Sequence, residues 1–368
     1  MYYIGLMSGT SADGIDAVLA SFSNAPPRIK QTLNRPYADD LRRKIFALSH
    51  PGDNEIERMG TLDHELATAF ADCVQALLDN SGVSANEVSA IGSHGQTLRH
   101  HPDNATPFSL QLGNPSLIAE LTGITTVADF RARDIAAGGQ GAPLVPAFHN
   151  TVFRSADANR VIINIGGIAN VSNLPADEKK PVTGFDTGPG NTLLDLWVQK
   201  HLGRNYDQDG AWASEGEIVP TLLAGLLADA YFERQPPKST GKEYFNLAWL
   251  QQATDKSESS PAVADVQATL VMLTASSIAD AIRAHAHDCD AAYVCGGGSH
   301  NPVLMKSLVQ CLAPISVATT AELGIDPDWV EALAFAWLAK QTIDGKAGNL
   351  PSVTGARHPV ILGGIYPA

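Results

Sequence analysis

The sequence predicts an α/β protein of two lobes that repeat one order of strands and helices. Its 368 residues are enough for two domains of ordinary size. Each half opens with two apolar runs around a glycine-containing turn, starting at Tyr2 in the first half and at Arg160 in the second. In both halves, further strands then alternate with helices, so one lobe pattern occurs twice.

The order of the predicted elements supports this duplication. In the first half these elements are strands at 2–7 and 15–22, helices at 39–50 and 54–80, a strand at 88–93, a helix at 114–121 and a strand at 124–130. In the second half they are strands at 160–165, 168–174 and before 184–191, helices at 192–201 and 262–286, a strand at 292–295, a helix from 302, a strand at 314–319 and a helix ending near 340, capped by 326–327. Two such lobes, with a nucleotide cleft between them, form the actin-like (RNase H-like) architecture.

The domain boundaries follow from this repeat. We expect a first lobe over 1–145, to which the C-terminal segment 345–368 can return, and a second lobe over 146–344. Residues 203–250 are rich in Gly, Pro and aromatic side chains, which predicts an insertion on the second lobe. The polar run at 256–261 predicts an exposed loop.

Charge and composition exclude several classes of partner. The formal net charge is −14, and nucleic acids and anionic membranes require a basic surface instead. No leader with a positive start and no run of 18 apolar residues is present, so we expect a cytoplasmic protein without a membrane partner. The four cysteines form no CxxC pair, which is typical of buried thiols in a reducing compartment.

The first glycine turn is the most informative motif. Glycines at both ends of a tight turn can aim successive backbone N–H groups at a phosphate, and hydroxyl groups add donors. A carboxylate in such a turn can orient Mg²⁺ or its waters. The candidate nucleotide-binding residues here are Gly9, Thr10, Ser11, Ala12, Asp13, Gly14, Ile15 and Asp16. An ordinary hairpin uses the same residue types, so this turn alone leaves both interpretations open.

Two further glycine clusters favour phosphate binding. The second hairpin contains Gly166, Gly167 and Asn170, and it can bind the same polyphosphate as the first. The run Gly296, Gly297 and Gly298 follows a strand, where the absence of side chains would let a flat base or ribose approach. Three glycine turns in this order predict a nucleotide site.

Asp186 is the candidate catalytic residue. It ends a strand, with an apolar residue before it and a rigid Gly-Pro-Gly run after it, which would hold a carboxylate at the mouth of a cleft. A carboxylate there can take a proton from a nucleophile beside a transferring phosphoryl group. The alternative is a residue that only forms an Asx turn.

Polar residues at the ends of first-lobe strands form the candidate sugar site. His94, Gln96 and Thr97 follow one strand, and Arg131 and Arg133 follow another. Such donors suit a sugar with acetamido and carboxylate groups, although a solvated loop with local ion pairs would also explain them. A different cluster, at 285–290, contains His, Asp and Cys side chains, but its spacing fits no zinc pattern, so we interpret it as structural and expect no protein-held metal site.

In combination, these motifs resemble those of the anhydro-N-acetylmuramic acid kinases, and the resemblance covers nearly the whole chain. The matching segments are GLMSGTSADGID (5–16), SHGQT (93–97), ADFR (128–131), NIGGIAN (164–170), FDTGP (185–189) and GGGSHN (296–301). Ala12 departs mildly from the pattern, where many members have a larger residue such as Met. A site formed by backbone groups tolerates that difference.

The resemblance implies an ATP- and Mg²⁺-dependent reaction in peptidoglycan recycling. Water opens the ring of 1,6-anhydro-N-acetylmuramic acid while O6 takes the γ-phosphoryl group, giving N-acetylmuramic acid 6-phosphate. The resemblance also implies that Asp186 is the base for the attacking water and that Glu331 is a sugar ligand. Alternatively, Glu331 is a capped or paired carboxylate early in its helix. We further expect a homodimer. Two alternatives remain: an ordinary actin-like amino-sugar kinase, and an actin-like filament or chaperone ATPase.

Overall fold

The computed structural model describes residues 1–255 and 261–368, and it divides into two compact units. Unit 1 consists of residues 1–152 together with 329–368, and unit 2 of residues 153–328. The polar run predicted to be an exposed loop lies outside the described residues, except for its last residue, Pro261.

Strands and helices alternate through most of the described chain. The strands are β1 (Tyr2–Ser8), β2 (Gly14–Ser21), β3 (Arg28–Pro36), β4 (Val88–His101), β5 (Phe108–Leu112), β6 (Thr126–Ala128), β7 (Arg160–Ile165), β8 (Ile168–Leu174), β9 (Thr183–Pro189), β10 (Ala291–Cys295), β11 (Ser316–Thr319) and β12 (Gly364–Tyr366). The α-helices are α1 (Asp39–Ser49), α2 (Glu55–Ser81), α3 (Pro115–Thr122), α4 (Phe130–Ala136), α5 (Val145–Val152), α6 (Thr192–Leu202), α7 (Pro220–Leu227), α8 (Ala230–Glu233), α9 (Leu247–Asp255), α10 (Val263–His285), α11 (Pro302–Leu312), α12 (Val330–Ile343) and α13 (Pro351–Thr354). Short 3₁₀ helices occur at Ala85–Glu87, Gln208–Gly210, Ala213–Glu215, Gly297–His300 and Thr320–Leu323.

Unit 1 is built on one mixed sheet with the strand order β12-β6-β4-β1-β2-β3, and β5 pairs with β4 beside this path. Strands β1, β2 and β3 are antiparallel neighbours, whereas β4 runs parallel to both β1 and β6. The C-terminal strand β12 pairs with β6, with Gly364 opposite Ala128. The chain therefore returns to its first unit at the end, which the sequence had left as an option.

Unit 2 repeats this arrangement with the order β11-β10-β7-β8-β9. Strands β7, β8 and β9 form the antiparallel part, and β10 is parallel to both β7 and β11. When each sheet is followed from the outer strand of its antiparallel part, the orders are β3-β2-β1-β4-β6 and β9-β8-β7-β10-β11. These two orders correspond strand by strand. This shared order is that of an RNase H-like lobe, so the predicted fold class is confirmed on the topology of each unit.

Helix α12 is the main difference from the predicted domain organisation, since the sequence placed it in the second lobe. It packs on β1 and β4 of unit 1, where backbone carbonyls of Ala332 and Phe335 occupy the space that side chains at Gly5 and Gly92 would need. It also begins at Val330, with Trp329 and not residues 326–327 at its N-terminus. Two glycines in neighbouring strands thus allow close approach of this helix to the sheet.

Several local predictions also need correction. Strand β4 continues to His101, so the polar residues expected at its end lie within it, and Arg131 lies on helix α4 instead of in a loop. The edge strand β3 and the strand β5 were not predicted. Residues 203–250 pack into the core of unit 2, where Tyr231 and Phe245 are fully buried. No helix in residues 1–255 or 261–368 is long and apolar enough to cross a membrane.

Candidate functional site

The first glycine turn joins β1 to β2 and is closed by the polar side chains around it. The backbone amide of Ala12 donates to the Gly9 carbonyl at 3.1 Å. The Ser8 hydroxyl lies 2.9 Å from the Gly14 carbonyl and 2.7 Å from Oε1 of Gln96, and the Gln96 amide nitrogen donates to the Gly9 carbonyl at 3.1 Å. Gln96, predicted as a sugar ligand, therefore braces the turn from the neighbouring strand.

The two outer glycines of this turn differ in what surrounds them. A Cβ at Gly14 would lie 2.6 Å from the Arg35 carbonyl oxygen, so packing against β3 explains that glycine. A Cβ at Gly9 would meet only the Ser11 hydroxyl, at 3.6 Å, and the φ of Gly9 lies outside the left-handed region. Neither packing nor backbone conformation requires glycine there, which suits a position approached by a ligand.

The remaining residues of the turn divide into a buried and an exposed set. Ala12 and Ile15 are buried in the core of unit 1, whereas Thr10 and Asp13 are exposed. The Ser11 hydroxyl donates to Asp13 Oδ1 at 2.9 Å, and the side-chain amide of Asn34 donates to Asp16 Oδ1 at 2.7 Å. The turn therefore places the Ser11 hydroxyl and the exposed Asp13 carboxylate close to Gly9, and the half-buried Asp16 follows on β2.

His94 and Arg131 form the polar centre of the predicted sugar site in unit 1. His94 Nδ1 donates to the Ser8 carbonyl at 3.2 Å, and Nε2 accepts from Arg131 Nη2 at 2.8 Å. Burial, with the Arg131 charge as a second cause, lowers the pKa of His94 to about 3. The ring is therefore neutral at physiological pH, with its proton on Nδ1, and it orients the guanidinium group.

The two other predicted sugar ligands lie on elements next to this pair. Thr97 is on β4, and its hydroxyl accepts from the Gln111 side chain at 3.1 Å. Glu331 is half-buried in the first turn of α12. It shares a helix face with Phe335, four residues later, whose ring centroid lies 4.7 Å from that of His94. The structure thus places Glu331 on the face of α12 that is turned towards His94.

Asp134 supports this region, and sequence reasoning missed it. Its side chain is fully buried, and Oδ1 accepts hydrogen bonds from Asn349 Nδ2 at 2.6 Å and Thr354 Oγ1 at 2.8 Å. Oδ2 accepts from the Gly141 amide at 2.8 Å, while the Gly141 carbonyl accepts from Arg131 Nη1 at 2.8 Å. Asp134 therefore fixes the loop that holds Arg131.

The second glycine turn, in unit 2, joins β7 to β8. The Gly166 carbonyl accepts from the Asn191 amide at 2.8 Å, and the Gly167 carbonyl accepts from the Gly190 and Thr192 amides, both at 3.0 Å. These bonds tie the turn to the start of α6. A Cβ at Gly166 would meet only the Ile168 carbonyl, at 3.7 Å, so this glycine is bare in the same way as Gly9.

Asp186 lies in the middle of β9 and not at a strand end as the sequence predicted, opposite Asn170 of β8, and Lys238 and Thr240, from the segment after α8, contact it. Its backbone N–H donates to the Lys238 carbonyl at 3.1 Å, and its carbonyl accepts from the Tyr231 hydroxyl at 2.7 Å. The amide of Thr240 donates to its carboxylate oxygen Oδ2 at 3.0 Å. The carboxylate is half-buried and held in one orientation, as a general base requires.

Lys238 is a neighbour of Asp186, whose backbone amide donates to its carbonyl, and its side chain is buried. Its ammonium group lies 4.8 Å from the centroid of the Tyr231 ring and 3.3 Å from the carbonyl oxygens of Tyr231 and Phe232. Burial lowers the pKa of Lys238, while the charge of Asp186 opposes that shift. Lys238 to Lys242 lie in the segment that the sequence marked as an insertion. The polar residues around Gly241 were the feature of the sequence that could have indicated a functional segment here.

The third glycine cluster packs partly against β7. Gly296 has a φ of +81°, and a side chain at Gly298 would collide with Ile165, so the fold itself requires both. A Cβ at Gly297 would meet only Asn191 Nδ2, at 3.9 Å. Asn164 Oδ1, beside Gly296, and Thr192 Oγ1, beside Gly167 of the second turn, are buried with no hydrogen-bond partner. Two orphaned polar atoms next to two of the glycine turns indicate a site for a polar ligand.

The cluster at 285–290 is tied into the fold. Lys180 forms a 2.9 Å ion pair with Asp288, and Asp290 accepts from the Asn159 amide at 2.8 Å. Among the residues that the structure describes, no group of three or more His, Cys, Asp or Glu side chains could hold a metal ion. The four cysteines are free thiols, and all except the half-buried Cys311 are buried.

Comparison with known proteins identifies the family. The sequence profile of the family described as anhydro-N-acetylmuramic acid kinase matches residues 1–368. A protein of that name from Coxiella burnetii (strain RSA 493 / Nine Mile phase I) is 52% identical over 364 residues, covering 99% of this chain and 97% of the relative. Another from Nitrosospira multiformis is 51% identical over 367 residues, covering 100% and 99%.

The matches among solved structures are much more distant. Component A of (R)-2-hydroxyglutaryl-CoA dehydratase from Acidaminococcus fermentans matches with a TM-score of 0.49 and 11% identity, over 91% of this chain and 96% of that one. The full-length profile match and the relatives at about half identity suffice for the assignment. The chain belongs to the anhydro-N-acetylmuramic acid kinase family.

Proposed function

We propose that this chain phosphorylates O6 of 1,6-anhydro-N-acetylmuramic acid with ATP and Mg²⁺ while water opens the anhydro ring, giving N-acetylmuramic acid 6-phosphate for peptidoglycan recycling. Family membership supports the substrate. The observation that carries the chemistry is the carboxylate of Asp186, which accepts a hydrogen bond from the Thr240 amide at 3.0 Å. An oriented carboxylate of this kind can deprotonate water, whereas a protein that only binds nucleotide or sugar would not need it.

In this reaction, Asp186 takes a proton from water as the water oxygen bonds to C1 of the sugar. The bond from C1 to O6 breaks, and O6 takes the γ-phosphoryl group as ADP leaves. General-base catalysis contributes on the order of 10²–10⁴-fold in rate. The fixed orientation of the carboxylate adds to this, because correct placement lowers the entropic cost of water attack.

The glycine turns support phosphate binding in each unit. Gly9 and Gly166 are bare, so backbone N–H groups of both turns can approach phosphate oxygens without a side chain between them. Gly297 likewise leaves room for the nucleoside. Mg²⁺ bound to ATP needs only one or two protein carboxylates, and the pair Asp13 and Asp16 fits that requirement. The ion would neutralise phosphate charge.

The sugar site in unit 1 supports recognition of a carboxylated amino sugar. Arg131 is held by His94 and by the Gly141 carbonyl, which leaves a fixed guanidinium group suited to the lactyl carboxylate. Thr97 and Glu331 would then bind the acetamido and hydroxyl groups. We place the enzyme in the cytoplasm as a homodimer without a nucleic-acid partner, in keeping with its net charge of −14 and its free thiols.

Reaction in ¹⁸O-labelled water tests this function. Product mass spectrometry should show one phosphoryl group and one solvent oxygen, at C1, for each ATP consumed. A phosphorylated product without solvent oxygen would indicate an ordinary amino-sugar kinase, and ATP-dependent sedimentation without sugar turnover would indicate a filament ATPase. Either outcome would overturn the proposal.

A further inference from the structure

The segment from Lys238 to Lys242 contacts both the candidate base and the second glycine turn. At one end, the Thr240 amide donates to Asp186 Oδ2 at 3.0 Å. At the other end, a Cβ built on Gly167 would lie 3.4 Å from Cε of Lys242, the carbon that bears the ammonium group. Thr240 contacts the carboxylate and Lys242 contacts the turn, and only Gly241 separates these two residues in the chain.

Gly167 lies close to two polar side chains, those of Thr192 and Lys242. The same Cβ position would lie only 2.8 Å from Thr192 Oγ1, so the hydroxyl group packs directly against this glycine. Thr192 is only 3% exposed, and its hydroxyl has no hydrogen-bond partner. A hydroxyl donor and the stem of a lysine thus both lie against the second glycine turn, because glycine puts no side chain between them and the turn backbone.

We propose that Lys242 binds the transferring phosphoryl group, with the Thr192 hydroxyl as a second donor. This rests on the proposed function and deepens it, because it names the cation in unit 2 that stabilises the charge on the γ-phosphoryl oxygens. A lysine ammonium group acts on phosphate as a mobile point charge. Lys242 makes and breaks no covalent bond: the phosphoryl group passes from the β–γ bridging oxygen to O6.

Because Lys242 lies two residues after Thr240, one short segment contacts both the candidate base and the second glycine turn. If Thr240 orients Asp186 while Lys242 binds the phosphoryl group, closure of this segment on substrate would set both groups at once. Lys238 has a different place in this segment, since its ammonium group is buried against Tyr231 and backbone carbonyls. The segment thus contains one lysine for the base and one for the phosphoryl group.

Calorimetric titration with Mg²⁺-ADP and with the non-hydrolysable analogue Mg²⁺-AMPPNP tests this assignment. Lys242→Ala should weaken AMPPNP binding by roughly 10- to 100-fold, as expected for a lost hydrogen bond to a charged group, and leave ADP binding within about threefold. Turnover of the anhydro-sugar should fall on the order of 10²–10³-fold, and Lys242→Arg should recover part of both losses. Lys306→Ala, an exposed lysine on α11 of the same unit, is the control and should match the parent.

Equal weakening of ADP and AMPPNP, or no change in either, would overturn the proposal. Should Lys242→Ala lose its fold by circular dichroism, Lys242→Gln keeps the chain length without the charge and carries the same comparison. The two proposals fail separately. If Lys242→Ala weakens AMPPNP binding more than ADP binding but the parent gives no ¹⁸O-containing product, only the anhydro-sugar reaction is rejected. If the parent gives the expected product but Lys242→Ala binds AMPPNP and ADP with the same relative affinities as the parent, only the role of Lys242 is rejected.

Discussion

The amide of Thr240 donates a 3.0 Å hydrogen bond to Oδ2 of Asp186. This bond joins the middle of strand β9 to a segment far along the chain, and Lys238 lies in the same segment, two residues before Thr240. The orientation of the carboxylate and the positive charge near it thus have a common structural origin. Changes in this segment should alter the chemistry of Asp186 without touching it.

Lys238→Met should move the acidic limb of the pH profile of kcat/KM to higher pH. Replacing the buried ammonium group by an apolar chain of similar length removes a positive charge that favours the ionised form of Asp186. Initial rates between pH 5 and 9 measure the limb. Lys306→Met, at an exposed position on α11, should leave it in place; a limb that does not move in Lys238→Met would show that Lys238 has only a packing role.

Gly9→Val should fold normally and bind ATP at least about tenfold more weakly. The protein leaves room for a side chain at Gly9, so the cost falls on the ligand that would occupy that space. Calorimetry with AMPPNP and a thermal melt give the two readouts. Gly14→Ala is the matched contrast, because its Cβ would press on the Arg35 carbonyl and lower stability. Unchanged AMPPNP affinity in folded Gly9→Val would remove this turn from the nucleotide site.

His94 should not titrate between pH 8 and pH 5. Burial lowers its pKa to about 3, and its Nε2 already accepts a hydrogen bond from Arg131, so a second ring proton has no place there. Histidine-labelled NMR spectra, assigned with a His94→Gln variant, should show one neutral ring with its proton on Nδ1 across this range. A midpoint near pH 6.5 would contradict the neutral pair with Arg131. His64→Gln, exposed on α2, identifies a solvent-facing histidine for comparison.

Asp134→Asn should lower both stability and sugar affinity. The carboxylate accepts three hydrogen bonds in a fully buried position, and an amide nitrogen would face one of these donors. An unsatisfied buried group costs about 1–3 kcal/mol. Because the Gly141 loop holds Arg131, KM for the anhydro-sugar should rise while AMPPNP affinity stays near that of the parent. A destabilised variant with unchanged KM would separate Asp134 from the sugar site.

The hairpins could be predicted because their signal is local. Alternating apolar residues on both sides of a glycine turn identify β1 with β2 and β7 with β8 almost to the residue. Strand β4 was cut short because His94 and Gln96 are polar, yet both are buried and hydrogen-bonded, so the strand continues through them. Polarity marks an end only where water, and not the protein, satisfies the side chain.

Long-range packing explains what the sequence could not indicate. Helix α12 is buried on nearly all sides, so its pattern has no polar face that would assign it to one unit. The run Lys238 to Lys242 has the composition of a loop, and only its contacts with Asp186 and Gly167 reveal its place in the site. Asp134 likewise depends on partners more than 200 residues away.

Turnover of Asp186→Asn tests the account most directly. The amide keeps the shape of the side chain but cannot accept the proton of water, so kcat should fall on the order of 10²–10⁴-fold. Affinities for AMPPNP and for the anhydro-sugar should change only modestly, because the glycine turns and the sugar donors are untouched. Asp280→Asn, on the exposed face of α10, should behave as the parent. If folded Asp186→Asn turns over within a few-fold of the parent, Asp186 is not the base.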